Sequence, residues 1–74
     1  MRHFKLTAVT QKEGDGFVSL CPELDIASQG DTKEESRANL EEAIEGFLEV
    51  ASPQELMDRL PAERYVESIE VSVA

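Results

Sequence analysis

The sequence has few basic residues. Seven Lys and Arg stand against 16 Asp and Glu, so the formal net charge is −9. A protein that grips nucleic acid through its phosphates needs a basic patch, and these seven residues are scattered singly along the chain. We therefore expect no direct binding of DNA or RNA. The acidity suits either solubility alone or an encounter with a basic protein partner.

Cysteine and long apolar runs are also scarce. Cys21 is the single cysteine, which excludes an internal disulfide and fits a reducing compartment. No stretch approaches the ~18 apolar residues that a membrane span needs. The opening MRHFKLTAVT lacks the apolar run of a signal peptide. The sequence predicts a cytoplasmic protein that does not enter a membrane.

The chain is short and contains no tryptophan. Its 74 residues predict one domain, covering 1–74. A domain near this size buries only about 60% of the surface that its unfolded chain exposes. Self-association would add burial, so we expect a homodimer or a homotetramer.

A long amphipathic helix is predicted over residues 33–51. Thr32 can cap its first turn and Glu35 can reach back, which makes a capping box. Apolar or small residues then recur at helical spacing, at Ser36, Leu40, Ala43, Ile44, Phe47, Leu48 and Ala51. We expect Leu40, Ile44 and Phe47 to form the centre of the core.

The opposite side of this helix carries four carboxylates, Glu41, Glu42, Glu45 and Glu49. They have two interpretations. The usual one is the solvated side of an amphipathic helix. The sharper one is a surface that imitates an RNA backbone towards a basic partner. We take these four as the candidate partner-binding residues.

Alternating apolar and polar residues predict the strands. Strands are expected over 4–11, 17–21 and 26–29, with Gly14 and Gly16 in a hairpin turn between the first two. Ser52 and Pro53 start a second, short helical segment. YVESIEVSVA, from Tyr65, shows the clearest period of two and predicts a last strand. We expect an α+β fold in the order β-β-β-α-β, with a four-stranded mixed sheet of order 3-2-1-4 and one long helix on one face.

Catalytic groups do not converge in the sequence. The predicted strands 4–11 and 17–21 contain no acidic residue, which leaves a metal-assisted hydrolase without a ligand cluster. His3 and Cys21 lack a third, orienting group, and the glycines do not form a phosphate-binding loop. We predict no enzyme activity, catalytic residue, metal or cofactor, and we interpret Cys21 as a small buried strand residue.

The run GDGFVSLCPELDIASQGDTKEESRANLEEAIEGFLE resembles the antitoxins of the HicB family of toxin–antitoxin systems. The matching positions are Gly14 and Gly16, residues 21–24, residues 29–32, Glu34 and Glu35, and Ala43, Ile44 and Leu48. The resemblance implies a partial ribonuclease-H-like fold. It also implies an inhibitor that binds a basic, RNA-cleaving HicA-type toxin and blocks it. Because the sequence ends directly after the last predicted strand, we expect a short form without a DNA-binding domain.

Two functions follow as alternatives. The first is a HicB-like antitoxin that neutralises a HicA-type toxin by occlusion. The second is an orphan self-associating module, with a structural or small-ligand role and no toxin partner.

Overall fold

The computed structural model describes residues 3–60 and 63–74. Three strands and two helices follow one another along this part of the chain. They are β1 (Val9–Glu13), β2 (Gly16–Cys21), β3 (Ile26–Gly30), α1 (Lys33–Val50) and α2 (Pro53–Arg59). The α+β class agrees with the prediction from the sequence.

The sheet is an antiparallel meander with β2 in the centre. Gly14 adopts a φ of 59° in the turn between β1 and β2, a conformation that glycine enters without steric cost. The turn sets Glu13 opposite Gly16 and Val9 opposite Leu20. The strand β2 then pairs with β3 from Phe17 opposite Gly30 onward.

Both helices begin where their capping signals predict. The Thr32 hydroxyl accepts a hydrogen bond from the Glu35 backbone N–H at 3.0 Å. The Glu35 carboxylate accepts from the Asp31 backbone N–H instead of the Thr32 N–H. In α2 the Ser52 hydroxyl accepts from the Glu55 N–H at 3.1 Å, and a proline occupies the first turn. Local side-chain chemistry thus fixes both helix starts.

Gly30 sets the distance between the sheet and α1. A Cβ atom added at Gly30 would lie 2.6 Å from the backbone nitrogen of Ser36 and 2.9 Å from Glu35 atoms. Only a residue without a Cβ allows the end of β3 to approach the first turns of the helix this closely. This close approach fixes how α1 crosses the sheet.

The core is centred on Cys21, Leu24 and Leu40. Leu40 is buried as predicted, whereas Ile44 and Phe47 are only partly buried against this cluster. Leu24 is 1% exposed although it lies in the loop between β2 and β3. The prediction missed Leu24 because a loop has no periodicity that could mark a core residue.

The predicted four-stranded mixed sheet is wrong. The described part of the chain contains a three-stranded antiparallel sheet of order β1-β2-β3, and its element order is β-β-β-α-α. The order 3-2-1-4 and the partial ribonuclease-H-like arrangement therefore do not describe this fold. We call residues 63–74 the C-terminal tail. They lie outside any strand, and each of them is exposed. An alternating pattern marks an apolar strand face but does not specify a partner for its backbone.

The first strand is also shorter than predicted, because β1 begins at Val9 and not at residue 4. The register that pairs Val9 with Leu20 would place Thr7 opposite Pro22. Proline has no N–H to donate to the ladder, and Pro22 opens the turn that follows β2. The pairing of β1 and β2 ends there for this reason.

In the part of the chain that the structure describes, neither helix is long and apolar enough to cross a bilayer.

Candidate interaction site

The acidic face of α1, defined as Glu41, Glu42, Glu45 and Glu49, lies in solvent. All four side chains are exposed, so the structure places them on one accessible helix surface. Glu41 pairs with Arg37 one turn earlier, with 3.5 Å between the Arg37 Nε and the Glu41 Oε1. This pair is exposed on both sides and contributes little to stability. The acidic face is therefore open to a partner.

The charge distribution along α1 runs against the helix dipole at its C-terminal end. Lys33 and Arg37 lie in the first half of the helix, and the last turn contains no basic residue. Partial negative charge accumulates at a helix C-terminus, so cations stabilise that end and carboxylates do not. Glu49, in the last turn, is thus unfavourably placed for the isolated helix. A cationic partner would relieve this cost.

A second cluster surrounds the carboxylate of Glu23, whose side chain is only 5% exposed. The Thr7 hydroxyl donates to Oε2 at 2.7 Å, and the Thr7 backbone N–H donates to Oε1 at 3.2 Å. The Cys21 thiol donates to Oε1 at 3.5 Å, and the Arg64 Nε lies 3.4 Å from Oε2. Glu23 therefore joins three separate parts of the chain: residues near the N-terminus, the loop after β2, and the segment beyond α2.

These contacts shift the pKa values of Glu23 and Cys21 in opposite directions. Burial disfavours the charged form of Glu23, but the hydrogen bonds from Thr7 and Cys21 outweigh burial and lower the pKa of Glu23. Burial raises the pKa of Cys21, and the neighbouring Glu23 carboxylate raises it further. The Cys21 side chain is fully buried, so it is a protonated thiol and a poor nucleophile at neutral pH.

Three hydroxyl groups cross from the sheet to α1. Ser36 donates to the Lys33 carbonyl at 3.0 Å, so its single proton is used and it accepts from Ser19 at 2.8 Å. Ser19 in turn accepts from Thr10 at 2.6 Å. Each hydroxyl in this series of hydrogen bonds therefore has a partner. Since its hydroxyls bond only one another and a carbonyl, it holds the sheet to the helix and has no base that could activate a serine.

An open groove runs between residues 3–8 and α1, and we call it the edge groove. Its volume is about 590 Å³, and its apolar lining includes Phe4, Leu6, Ala8, Leu40, Ile44 and Leu48. Leu40 belongs to the core cluster, so the edge groove reaches the centre of the domain. The sequence did not predict this surface, because it placed residues 4–11 in a strand of a four-stranded sheet packed against the helix.

Residues with metal-ligating side chains remain apart. Within residues 3–60 and 63–74, no group of three or more His, Cys, Asp and Glu side chains could hold a metal ion. His3 lines the edge groove, and Cys21 is buried in the core. Cys21 is therefore closed to solvent, whereas His3 is exposed.

Comparison with known proteins identifies no relative: no family model, curated protein or solved structure matches the chain.

Proposed function

We propose that this chain is a HicB-like antitoxin that neutralises a HicA-type, RNA-cleaving toxin by covering its catalytic surface. The observation that carries the proposal is the acidic face of α1: Glu41, Glu42, Glu45 and Glu49 are exposed together on a chain of net charge −9. The resemblance of residues 4–50 to HicB antitoxins supplies the kind of partner. The mechanism is occlusion, with no chemistry performed by the antitoxin itself.

The unfavourable charges at the C-terminal end of α1 support the proposal. Carboxylates in the C-terminal half of α1, with no basic residue in the last turn, weaken the isolated helix. A basic, RNA-binding surface would pair with these carboxylates and offset their unfavourable interaction with the helix C-terminus. That relief would add to the free energy of association. Charge complementarity of this kind chiefly speeds the encounter between partners.

The cellular setting fits the same proposal. A HicA-type toxin acts on RNA in the cytoplasm, and a chain with one buried, unpaired cysteine suits a reducing compartment. We therefore place this protein in the cytoplasm, where it would meet its partner and bind no nucleic acid directly.

The second candidate is an orphan self-associating module without a toxin. The exposed apolar side chains of the C-terminal tail favour it, because they offer a surface for another copy of the chain. Gene context separates the candidates: an adjacent gene for a short basic protein with one histidine favours the antitoxin.

The deciding experiment is co-expression with the toxin from the same operon. The expected result is normal growth and intact mRNA when both proteins are soluble. Continued toxicity with both proteins soluble would contradict the antitoxin function and leave the orphan module. Absence of any toxin gene beside this one would have the same effect.

A kinetic experiment tests the acidic face directly. Changing Glu41, Glu45 and Glu49 together to Gln should slow association with the toxin and flatten its salt dependence, while dissociation stays nearly unchanged. Surface plasmon resonance at several salt concentrations measures both rates. The matched control changes three exposed carboxylates outside α1 to their amides, at Glu13, Asp15 and Asp31. Equal slowing by both triple variants would show that net charge, and not the acidic face, steers the encounter.

A further inference from the structure

The end of the C-terminal tail exposes three apolar side chains at alternate positions. Ile69, Val71 and Val73 alternate with polar residues, and their exposures range from 75% to 89%. In an extended chain, alternate residues share one face. Apolar surface concentrated in this way usually marks an interaction site in a soluble protein.

The sheet offers a complementary surface at β1. Among the described residues, β1 pairs with β2 on one side only. The edge groove is lined by residues 3–8, which directly precede β1, and by α1. An edge strand next to an apolar groove presents both unpaired backbone groups and side-chain contacts to an incoming strand. Leu40 and Ile44 on α1 would contact the side chains of that strand.

The C-terminal tail begins beside residues that also line the edge groove, but no tail residue lines the groove itself. The Arg64 side chain is paired with Glu23 at 3.4 Å, which anchors the start of the C-terminal tail beside residues 3–6. Beyond this anchor every residue is exposed. The radius of gyration is 14.6 Å, against about 11 Å for a compact domain of this length. Within the described residues, the tail therefore extends away from the domain and does not occupy the edge groove.

We propose that the edge groove is filled by the C-terminal tail of a second copy, and that the two copies exchange their tails reciprocally. Ile69, Val71 and Val73 enter the partner's groove, while Ser68, Glu70 and Ser72 face solvent. At about 3.3 Å per residue, residues 65–74 span about 33 Å, enough to run along residues 3–8 and β1. Exchange of an identical element is a low-cost route to a symmetric dimer.

The chain's own sheet remains three-stranded in this assembly, and the added strand belongs to the second copy. The proposal concerns self-association and does not depend on toxin binding. Glu41 and Glu45 of the acidic face also line the edge groove, so an exchanged tail lies beside the proposed toxin surface. Failure to bind a toxin would leave tail exchange standing, and failure to self-associate would leave the toxin surface open.

The first test is the mass of the full-length protein by light scattering at micromolar concentration. The parent should show at least twice the 8.2 kDa of one chain. Val71→Asp should reduce the mass to that of one chain, and Ser72→Asp, on the other face of the tail, should not. Both positions are exposed in the single chain, so neither side chain belongs to the buried core. Thermal melts of both variants confirm that the domain is folded.

Mixing two variants then distinguishes exchange of tails between two copies from binding of each tail in the groove of its own chain. Ala8→Asp places a charge in the edge groove at an exposed position and should also give single chains. Mixing Ala8→Asp with Val71→Asp leaves one intact tail facing one intact groove, so native mass spectrometry should detect a one-to-one heterodimer. Neither variant mixed with itself should form a dimer.

Three results would overturn the proposal. A parent protein of one-chain mass would show that the tail does not exchange. Equal mass changes for Val71→Asp and Ser72→Asp would remove the role of the apolar face. Absence of the heterodimer, with both variants folded, would assign each groove to its own tail.

Discussion

At the scale of single residues, Glu23 joins distant parts of the chain through contacts that the sequence did not predict. It stands in a loop between two strands, where no periodicity or spacing distinguishes it from the exposed carboxylates. Its importance comes from tertiary contacts: Thr7 and Arg64 approach it from distant parts of the chain. Sequence patterns report local geometry, so a group defined by distant partners escapes them.

The lowered pKa of Glu23 predicts how its contribution to stability depends on pH. A carboxyl group whose folded pKa lies below its unfolded value, about 4.3, stabilises the fold above that value and loses this contribution as pH falls through the folded pKa. Glu23→Gln should lower the free energy of unfolding at pH 7 by about 1.5–3 kcal/mol, since charge-assisted hydrogen bonds are lost. In urea melts between neutral and acid pH, the free energy of unfolding of Glu23→Gln should also fall less steeply with decreasing pH than that of the parent.

A pair of threonine variants controls for this effect. Thr7→Val removes the hydroxyl that donates to Glu23 and should flatten the same acid decline. Thr10→Val removes a hydroxyl that bonds Ser19 and should leave the acid decline unchanged. Identical pH profiles for Thr7→Val and the parent would contradict the assignment of the pKa shift to this contact.

At the scale of elements, the helices were predictable and the sheet only partly so. The caps at Thr32 and Ser52 lie within three residues of the groups they bind, so the sequence contains the whole signal. The hairpin turn at Gly14 is equally local. The boundaries of β1 depend on what lies opposite in β2, and the position of the tail depends on a partner strand. Neither is contained in a local pattern.

The dipole of α1 gives a prediction at this scale. Glu49→Lys should raise the free energy of unfolding by about 1 kcal/mol at low salt, because it places a cation at the negative end of the helix. The new lysine would also follow Glu45 by four residues, a favourable pair. Differential scanning calorimetry measures the effect.

Glu34→Lys is the matched control, since it changes the net charge equally but lies in the first turn. It should destabilise the helix by a similar amount. If both variants shifted the melting temperature in the same direction, overall charge would explain the effect and the dipole argument would fail.

At the scale of the whole molecule, the net charge gives the two proposed associations opposite responses to salt. Two copies that each carry −9 repel one another, so added salt should strengthen tail exchange. The same charge attracts a basic toxin, so added salt should weaken that complex. Light scattering and titration calorimetry over a range of sodium chloride concentrations measure the two constants. Salt dependences of equal sign would contradict one of the two interfaces.

The acidic face was predictable from the sequence, because helical spacing alone puts its four carboxylates on one side of α1. The edge groove was not, since it arises from the absence of a strand that the alternating pattern of the tail had predicted. Recognition of the groove requires knowing where residues 65–74 lie, and that depends on whether another chain is present to receive them.

The antiparallel meander affects which parts of the protein can form contacts first during synthesis. Each strand pairs with the next along the chain, and α1 packs close to the end of β3 that precedes it. Contacts between near neighbours in sequence form quickly, and folding begins at the N-terminus during synthesis. A ribosome that stalls before Tyr65 has already translated every residue of the sheet and both helices. The core residues Cys21, Leu24 and Leu40 are therefore all synthesised before the tail, and none of their mutual contacts waits for it.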